Sequence, residues 1–412
     1  MKIRHIKGRQ ILDSRGQPTV ECILELDNGC HIVASVPSGA SVGKYEAKEL
    51  RDGDPHYFEG KGVLHAIRNL EQTIGPMVIG KNPDVITMDA MMIEYDGTSD
   101  KSKLGANAML AASIAITRAQ AHIEGIPLYA FINKLWQFEK PTMPVCMFNI
   151  INGGAHAQSG LFFQEFMIMP RAQDVRRNIE IAVRFYNSLK RALADNQYAT
   201  SIGDEGGFAP RFMQNGIARE TTALDFLQDV AGCIKEEVVF CLDVAASQFY
   251  ETNNKKYKIH DDYYDGDQLI ALYENLCTKY SIVSIEDGFD ENDWDGWQRL
   301  THQLTGKIQL IGDDIFVTNI KRIEYGIENR VANSVLIKPN QIGTVSETIK
   351  AIKLCKKVGY KTVISHRSGE TNDSFIADLA VGTAAGQLKT GAPVRGERVA
   401  KYNRLLEIAE EI

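Results

Sequence analysis

The sequence predicts an α/β protein whose larger part is a βα barrel, and three observations predict it. Six short apolar runs each lead into an ionisable residue: Asp243, Glu286, Asp313, Lys338, Arg367 and Lys389. The successive steps are 43, 27, 25, 29 and 22 residues. All but the first lie near the length of one strand plus one helix, roughly 25–30 residues. Strand and helix patterns also alternate from Ala231 to the end, and parallel strands closed into a barrel bring their C-terminal tips to one face. Finally, 412 residues exceed the usual size of one domain, so a second, smaller unit is expected.

That smaller unit is read from the N-terminal third. Thr19 to Leu26 is β-rich, Asp27-Asn28-Gly29 is a hairpin turn signal, and Cys30 to Val36 returns as a strand. With the first residues they form an antiparallel meander. Pro37-Ser38-Gly39-Ala40-Ser41-Val42-Gly43 is a small-residue loop of the composition a lid uses. Helices are predicted from about Gly62 to Ile74 and from about Asn107 to Glu124, the second an alanine-rich core helix ended by Pro127. A linker is predicted near Asn133 to Pro144. Two strand-like runs follow without a helix between them, Cys146–Ile151 and Phe162–Met169, and Val175 to Ala194 has helical spacing. Gly203 to Phe208 is a glycine-rich turn, while 253–256 and 261–267 read as exposed turns.

Composition narrows the function. The net charge of −7 argues against nucleic-acid binding by bulk attraction. Seven cysteines, widely spaced and with no Cys-x-x-Cys, argue against a disulfide framework or a thiolate zinc site and fit a reducing cytosol. The first residues lack the apolar core of a signal peptide, and no stretch is predicted to span a bilayer.

The strand tips carry the chemistry. Asp243, Glu286 and Asp313 are three carboxylates on three tips. Converging carboxylates repel unless a cation lies between them, and hard oxygen ligands without histidine or cysteine suit magnesium. Lys338 stands at the end of a buried run, where burial and a nearby cation lower a lysine's pKa and make it a general base. Arg367 with Ser368 offers a fork and a hydroxyl to a phosphate, and Lys389 adds a further positive charge. Glu165 and Glu205 are candidate acids. Such a set suits proton abstraction beside a carboxylate, the metal stabilising the resulting enediolate.

At these residues the sequence strongly resembles the enolases over essentially the whole chain. The resemblance is carried by Ile11–Gly16, Pro37–Ser41, Leu104–Ala108, Asn152–His156, Gly203–Phe208, Ser284–Gly288, Leu336-Ile337-Lys338 with Asn340–Gly343, and Ser365–Glu370. It implies an N-terminal α+β capping domain with its lid loop (1–133) on a modified, enolase-type (β/α)8 barrel (140–412). It implies reversible dehydration of 2-phospho-D-glycerate to phosphoenolpyruvate, with Lys338 taking the C2 proton and Glu205 protonating the departing hydroxyl. Mg2+ is implied at two sites. Asp243, Glu286 and Asp313 hold the first, and Ser41 helps to hold the second with the substrate phosphate. His156, Gln164, Glu165, His366, Arg367, Ser368 and Lys389 are the implied substrate contacts. A homodimer or higher even oligomer in the cytoplasm, with a cell-surface or secreted pool by family analogy, completes the expectation; direct nucleic-acid binding does not belong to it. Val42, where the lid usually carries threonine, and Gln158-Ser159-Gly160 after His156 depart from the family pattern. Two other readings compete. One is a related acid-sugar dehydratase, which needs no phosphate clamp. The other is a structural or surface-binding descendant, which would have lost catalytic residues.

Overall fold

The computed structural model describes residues 1–39 and 43–412. Ser41, predicted to bind the second metal, and Val42 lie outside the described residues. The chain opens with an antiparallel sheet of β1 (Ile3–Leu12), β2 (Pro18–Leu26) and β3 (His31–Ser35), in that order. The turn between β2 and β3 falls at Asp27-Asn28-Gly29, as predicted, with Gly29 at φ 83°. The helix Ala106–Glu124 packs on β2 and β3 and against the helix Val85–Asp96. Its alanines let it lie close to neighbours on every side, and it is buried nearly all round.

The helix Ala106–Glu124 ends on Gly125, at φ 66°, rather than at Pro127, which starts the next helix. Leu128–Trp136 is helical, with Pro127 as its N-cap. The linker predicted from Asn133 therefore begins only after Trp136. Proline is tolerated at a helix start because its missing N–H has no intrahelical partner there.

The remaining chain forms a closed eight-stranded barrel. Its strands are β4 (Val145–Asn152), β5 (Glu165–Pro170) and β6 (Val238–Asp243). Next come a small outer sheet of β7 (Tyr250–Glu251), β8 (Lys256–Ile259) and β9 (Asp262–Tyr264), found where only turns were predicted. The barrel continues with β10 (Ile282–Glu286), β11 (Gln309–Gly312), β12 (Ser334–Ile337), β13 (Lys361–Ser365) and β14 (Gly386–Lys389). From β6 onward neighbouring strands run parallel, and β14 closes parallel on β4. β5 alone is reversed, antiparallel to both β4 and β6. A β4–β5 hairpin needs no helical crossover, which explains why the two runs follow each other without one. Phe162 to Gln164, predicted as strand, precede β5.

Met147, Met167, Met169, Cys241, Ile311, Leu336 and Val363 pack together as a separate core of the barrel. On β5, Phe166 and Ile168 join the larger core instead. Alternation thus buries both faces, which is why these strands read as unbroken apolar runs. Thioether side chains fit the irregular space inside a barrel well.

One buried carboxylate joins the N-terminal helices to the barrel. Asp89 Oδ2 accepts from Ser113 Oγ and from the Ser346 N–H, both at 2.9 Å, and Ser113 Oγ accepts from the Val345 N–H at 2.9 Å. Both amides belong to the first turn of the helix Val345–Val358, so a side chain from one unit caps a helix of the other. Burial pushes the Asp89 carboxyl up to about 6.

Candidate functional site

The C-terminal tips of the parallel strands and the start of the reversed β5 meet at one end of the barrel. They enclose a narrow, polar recess. Lining it are His156, Gln164, Glu165, Glu205, Asp243, Asp313, Lys338, His366, Arg367, Ser368 and Lys389. The structure therefore brings together every predicted site residue of the barrel except Glu286, which lies beneath Lys389. All of these side chains are buried or nearly so.

The strand ladders set the positions. Glu165 pairs across from Asp243, and Asp243 across from Glu286. Ser365 stands opposite Lys389. Lys389 Nζ lies 2.8 and 2.9 Å from the Glu286 carboxylate oxygens, 3.2 Å from Asp243 Oδ2 and 3.1 Å from Glu165 Oε2. Gln164 Nε2 also donates to Asp243 Oδ2 at 3.1 Å. Lys338 Nζ donates to Asp313 Oδ2, whose other oxygen accepts from Gln341 Nε2 at 2.9 Å.

The contact with Asp313 bears on the protonation of Lys338. Burial acts to lower Lys338, but Asp313 in direct contact outweighs it, and the ammonium titrates above its ordinary value. The predicted lowering requires Asp313 to be drawn away from the lysine. Lys389 behaves alike: burial lowers it, and Asp243, Glu165 and Glu286 raise it well above the usual range.

Four carboxylates, Glu165, Asp243, Glu286 and Asp313, surround these two lysines. The excess charge is felt. Burial and the neighbouring Asp243 push Glu286 well up, and burial with Asp313 pushes Asp314 up to about 8. Among the described residues two groups have ligand atoms mutually within 4.8 Å: His156, Glu165 and Glu205, and Asp287, Asp313 and Asp314. Asp243 and Glu286 are in neither; the ammonium of Lys389 bridges these two. Crowded carboxylates held up by mutual repulsion fit a divalent cation, which neutralises them more fully than two amines do.

A second half of the site is built on the glycine-rich turn. Gly203 has its Cα so close to the His156 carbonyl that a Cβ would stand 2.7 Å from it, and Gly206 has φ 87°. Glu205 thereby comes under His366 and His156. Its Oε2 accepts from Asn149 Nδ2 at 3.0 Å and lies 3.2 Å from His366 Nε2. His156 stands between two acids, Nδ1 3.5 Å from Glu165 and Nε2 3.7 Å from Glu205, with Ser368 Oγ 3.1 Å from Nε2. Burial raises Glu165 strongly, and the charge of Glu205 adds to it. Burial also acts to raise Glu205, but His366, His156 and Arg398 outweigh it and hold the carboxyl low.

Arg367 is gripped from the N-terminal unit. Its Nη1 donates to Glu46 Oε2 at 2.8 Å and to Asn340 Oδ1 at 3.0 Å, and its Nη2 donates to Glu46 Oε1 at 3.1 Å. Glu46 Oε1 also accepts from the Gly43 N–H at 2.9 Å, next to the lid.

Sequence reasoning missed several of these partners. Asp287 accepts from the Asp313 and Asp314 amides at 2.9 Å each and so shapes the tip of β11. The paired acids Glu286-Asp287 and Asp313-Asp314 were the signal for it. Glu46 and Arg398 gave none, because each reaches the site from a distant part of the chain, and Asn149 and Gln341, though inside stretches singled out in the sequence, were assigned no role.

Two family models cover the chain: the enolase N-terminal domain matches residues 3–132, and the enolase C-terminal TIM barrel domain matches residues 140–412. A curated enolase from Natranaerobius thermophilus is 48% identical over 414 residues, covering 100% of this chain and 95% of that protein. With the matches running from end to end and the strand-tip residues gathered at one recess, the chain belongs to the enolase family.

Proposed function

We infer that the protein catalyses the reversible dehydration of 2-phospho-D-glycerate to phosphoenolpyruvate, as a phosphopyruvate hydratase. The observation that carries this reading is the recess itself. A lysine on one wall faces acids on the other, and a buried arginine with a serine stands at the rim.

Lys338 is the base for the C2 proton. It is held by Asp313, so it becomes a base only when that carboxylate is engaged elsewhere. Asp243, Glu286 and Asp313 would hold a magnesium ion and Ser41 would contribute to a second; when bound, the metal would supply charge stabilisation as negative charge builds on the substrate. Arg367 and Ser368 take the phosphate, whose charge competes with Glu46 for the guanidinium. Gln164 and Lys389 orient the other end.

Glu205 is the acid for the C3 hydroxyl. His156, with one nitrogen toward each carboxyl, connects Glu205 with Glu165. His366 directs its ring at Glu205 from above. We divide the chain into a cap, 1–133, and a catalytic barrel, 140–412. A homodimer or higher even oligomer and a cytoplasmic location follow by family analogy. Among the described residues no helix is long and apolar enough to cross a membrane.

The test is direct. With magnesium and 2-phosphoglycerate, the purified protein is expected to generate the ultraviolet absorbance of phosphoenolpyruvate. A folded, magnesium-loaded protein that produces none would exclude the reading and leave the structural or surface-binding alternative.

A further inference from the structure

We propose that Arg398 is a positioning residue that fixes the tautomer of His366, locking the ring's single proton on the nitrogen that faces Glu205. The proposal rests on the assignment of Glu205 as the acid.

Arg398 lies on the helix Gly396–Glu411 and is wholly buried, an unusual place for a guanidinium. Its Nη1 is 2.6 Å from His366 Nδ1 and 2.6 Å from the Arg367 carbonyl. Its Nη2 donates to the Ser368 carbonyl at 2.5 Å and to the Asp204 carbonyl at 3.1 Å. Glu397 lies 3.4 Å from Nε. One side chain therefore touches the histidine, the two phosphate-arm residues and the residue before the acid.

The hydrogen-bond chemistry decides the tautomer. A guanidinium has donors only, so His366 Nδ1 must be an acceptor. Burial pushes His366 down to about 3, so the ring is neutral and carries one N–H. With Nδ1 accepting, that N–H is on Nε2, 3.2 Å from Glu205 Oε2. The contact lies off the hydrogen-bond line here; a small rotation of either side chain aligns it.

The consequence is directional. His366 can donate toward Glu205 and cannot take its proton. A proton on Glu205 is then left to the departing hydroxyl or to the His156 side, and not lost to the nearer imidazole. The opposite tautomer would turn a lone pair toward the carboxylate and invert both effects. The same arginine also ties the Asp204 carbonyl to the Arg367 and Ser368 carbonyls. It thereby holds the acid at a set distance from the phosphate arm.

The experiment is two-bond 15N–1H correlation NMR of the full-length enzyme labelled in its nine histidines, with His366 assigned by its loss in His366→Gln. The wild-type ring is expected to show the neutral, Nε2-protonated pattern from about pH 6 to about pH 8, across the range in which an ordinary histidine titrates. An Nδ1-protonated or averaged pattern in the wild type overturns the proposal without any variant. In Arg398→Lys and Arg398→Met the pattern is expected to change to Nδ1-protonated or averaged. Their kcat is expected to fall about 10-fold or more with a smaller change in KM, on the scale of a weakened acid. A folded variant that keeps the wild-type pattern also overturns it. The tautomer is read without turnover, so a wild type with the expected pattern and no hydratase activity would instead count against the functional assignment.

Discussion

The Arg367 guanidinium of the barrel and the Glu46 carboxylate of the N-terminal unit form a two-pronged pair with bonds of 2.8 and 3.1 Å. Both side chains are buried. Removing one member of such a pair strands the other charge, at a cost of about 3–5 kcal/mol. Glu46→Gln is therefore expected to lower the melting temperature of the ligand-free protein. A phosphate-bearing ligand would then restore a partner to Arg367, so phosphoenolpyruvate is expected to raise the melting temperature more in the variant than in the wild type. Calorimetry with and without ligand checks this; equal ligand shifts in the two proteins would separate Arg367 from the phosphate.

Metal removal is the second test. Chelation is expected to abolish turnover and magnesium to restore it. Calorimetry gives an independent reading. Magnesium is expected to raise the melting temperature of the wild type, and less so that of Asp313→Asn, which exchanges an anionic ligand for a neutral amide. Full activity after verified metal removal would exclude the assignment of Asp243, Glu286 and Asp313.

The base and the acid are separable. Glu205→Gln is expected to keep exchange of the C2 proton with deuterated solvent while losing dehydration. Lys338→Ala is expected to lose both. Each loss is about 10²–10⁴-fold, the usual contribution of a general acid or base. NMR of deuterium at C2 distinguishes them. Wild-type exchange in Lys338→Ala with none in Glu205→Gln would reverse the two roles.

Asp89 makes stability depend on pH. Its carboxyl is raised from an ordinary 3.8 to about 6, chiefly by burial. Below the ordinary value both folded and unfolded chains are protonated there, and the group adds no pH dependence. Between 3.8 and about 6 the unfolded chain releases the proton first, so stability falls as pH rises. Above that window the full penalty applies, about 3 kcal/mol for roughly two pH units. Asp89→Asn keeps an oxygen for the Ser346 amide and carries no charge. It is expected to be more stable than the wild type at pH near 8 and equal to it near 4, as urea unfolding at both values will measure.

Much of the catalytic end was legible because parallel strands buried on both faces must be apolar throughout, so charged residues mark where they stop. Asp243, Glu286, Asp313, Lys338 and Lys389 stand out for that reason. Glu205 is marked by glycines that its turn needs. Arg398 carries no such mark. It lies in a polar helix whose exposed and buried charges look alike, and only the folded chain brings it under His366. The protonation of Lys338 depends on the distance to Asp313, which spacing along the chain does not contain. The helix Leu128–Trp136 was hidden by reading Pro127 as a stop, when proline serves equally as a start.

The reversed β5 has a consequence for how the gene can vary. In the parallel strands an insertion after the tip alters only a loop. Glu165 instead stands at the first residue of β5, paired across from Asp243 in one ladder and beside Asn152 in the other. One residue added within β5 would turn its side chains to the opposite face. Phe166 would then face the barrel interior and the Glu165 carboxyl would be turned toward the hydrophobic core outside. Beyond Pro170 the same insertion would leave that register untouched. Tolerance to length change in this hairpin is thus expected to switch from none to ordinary within the six residues of β5, a boundary that deep insertion scanning would draw residue by residue.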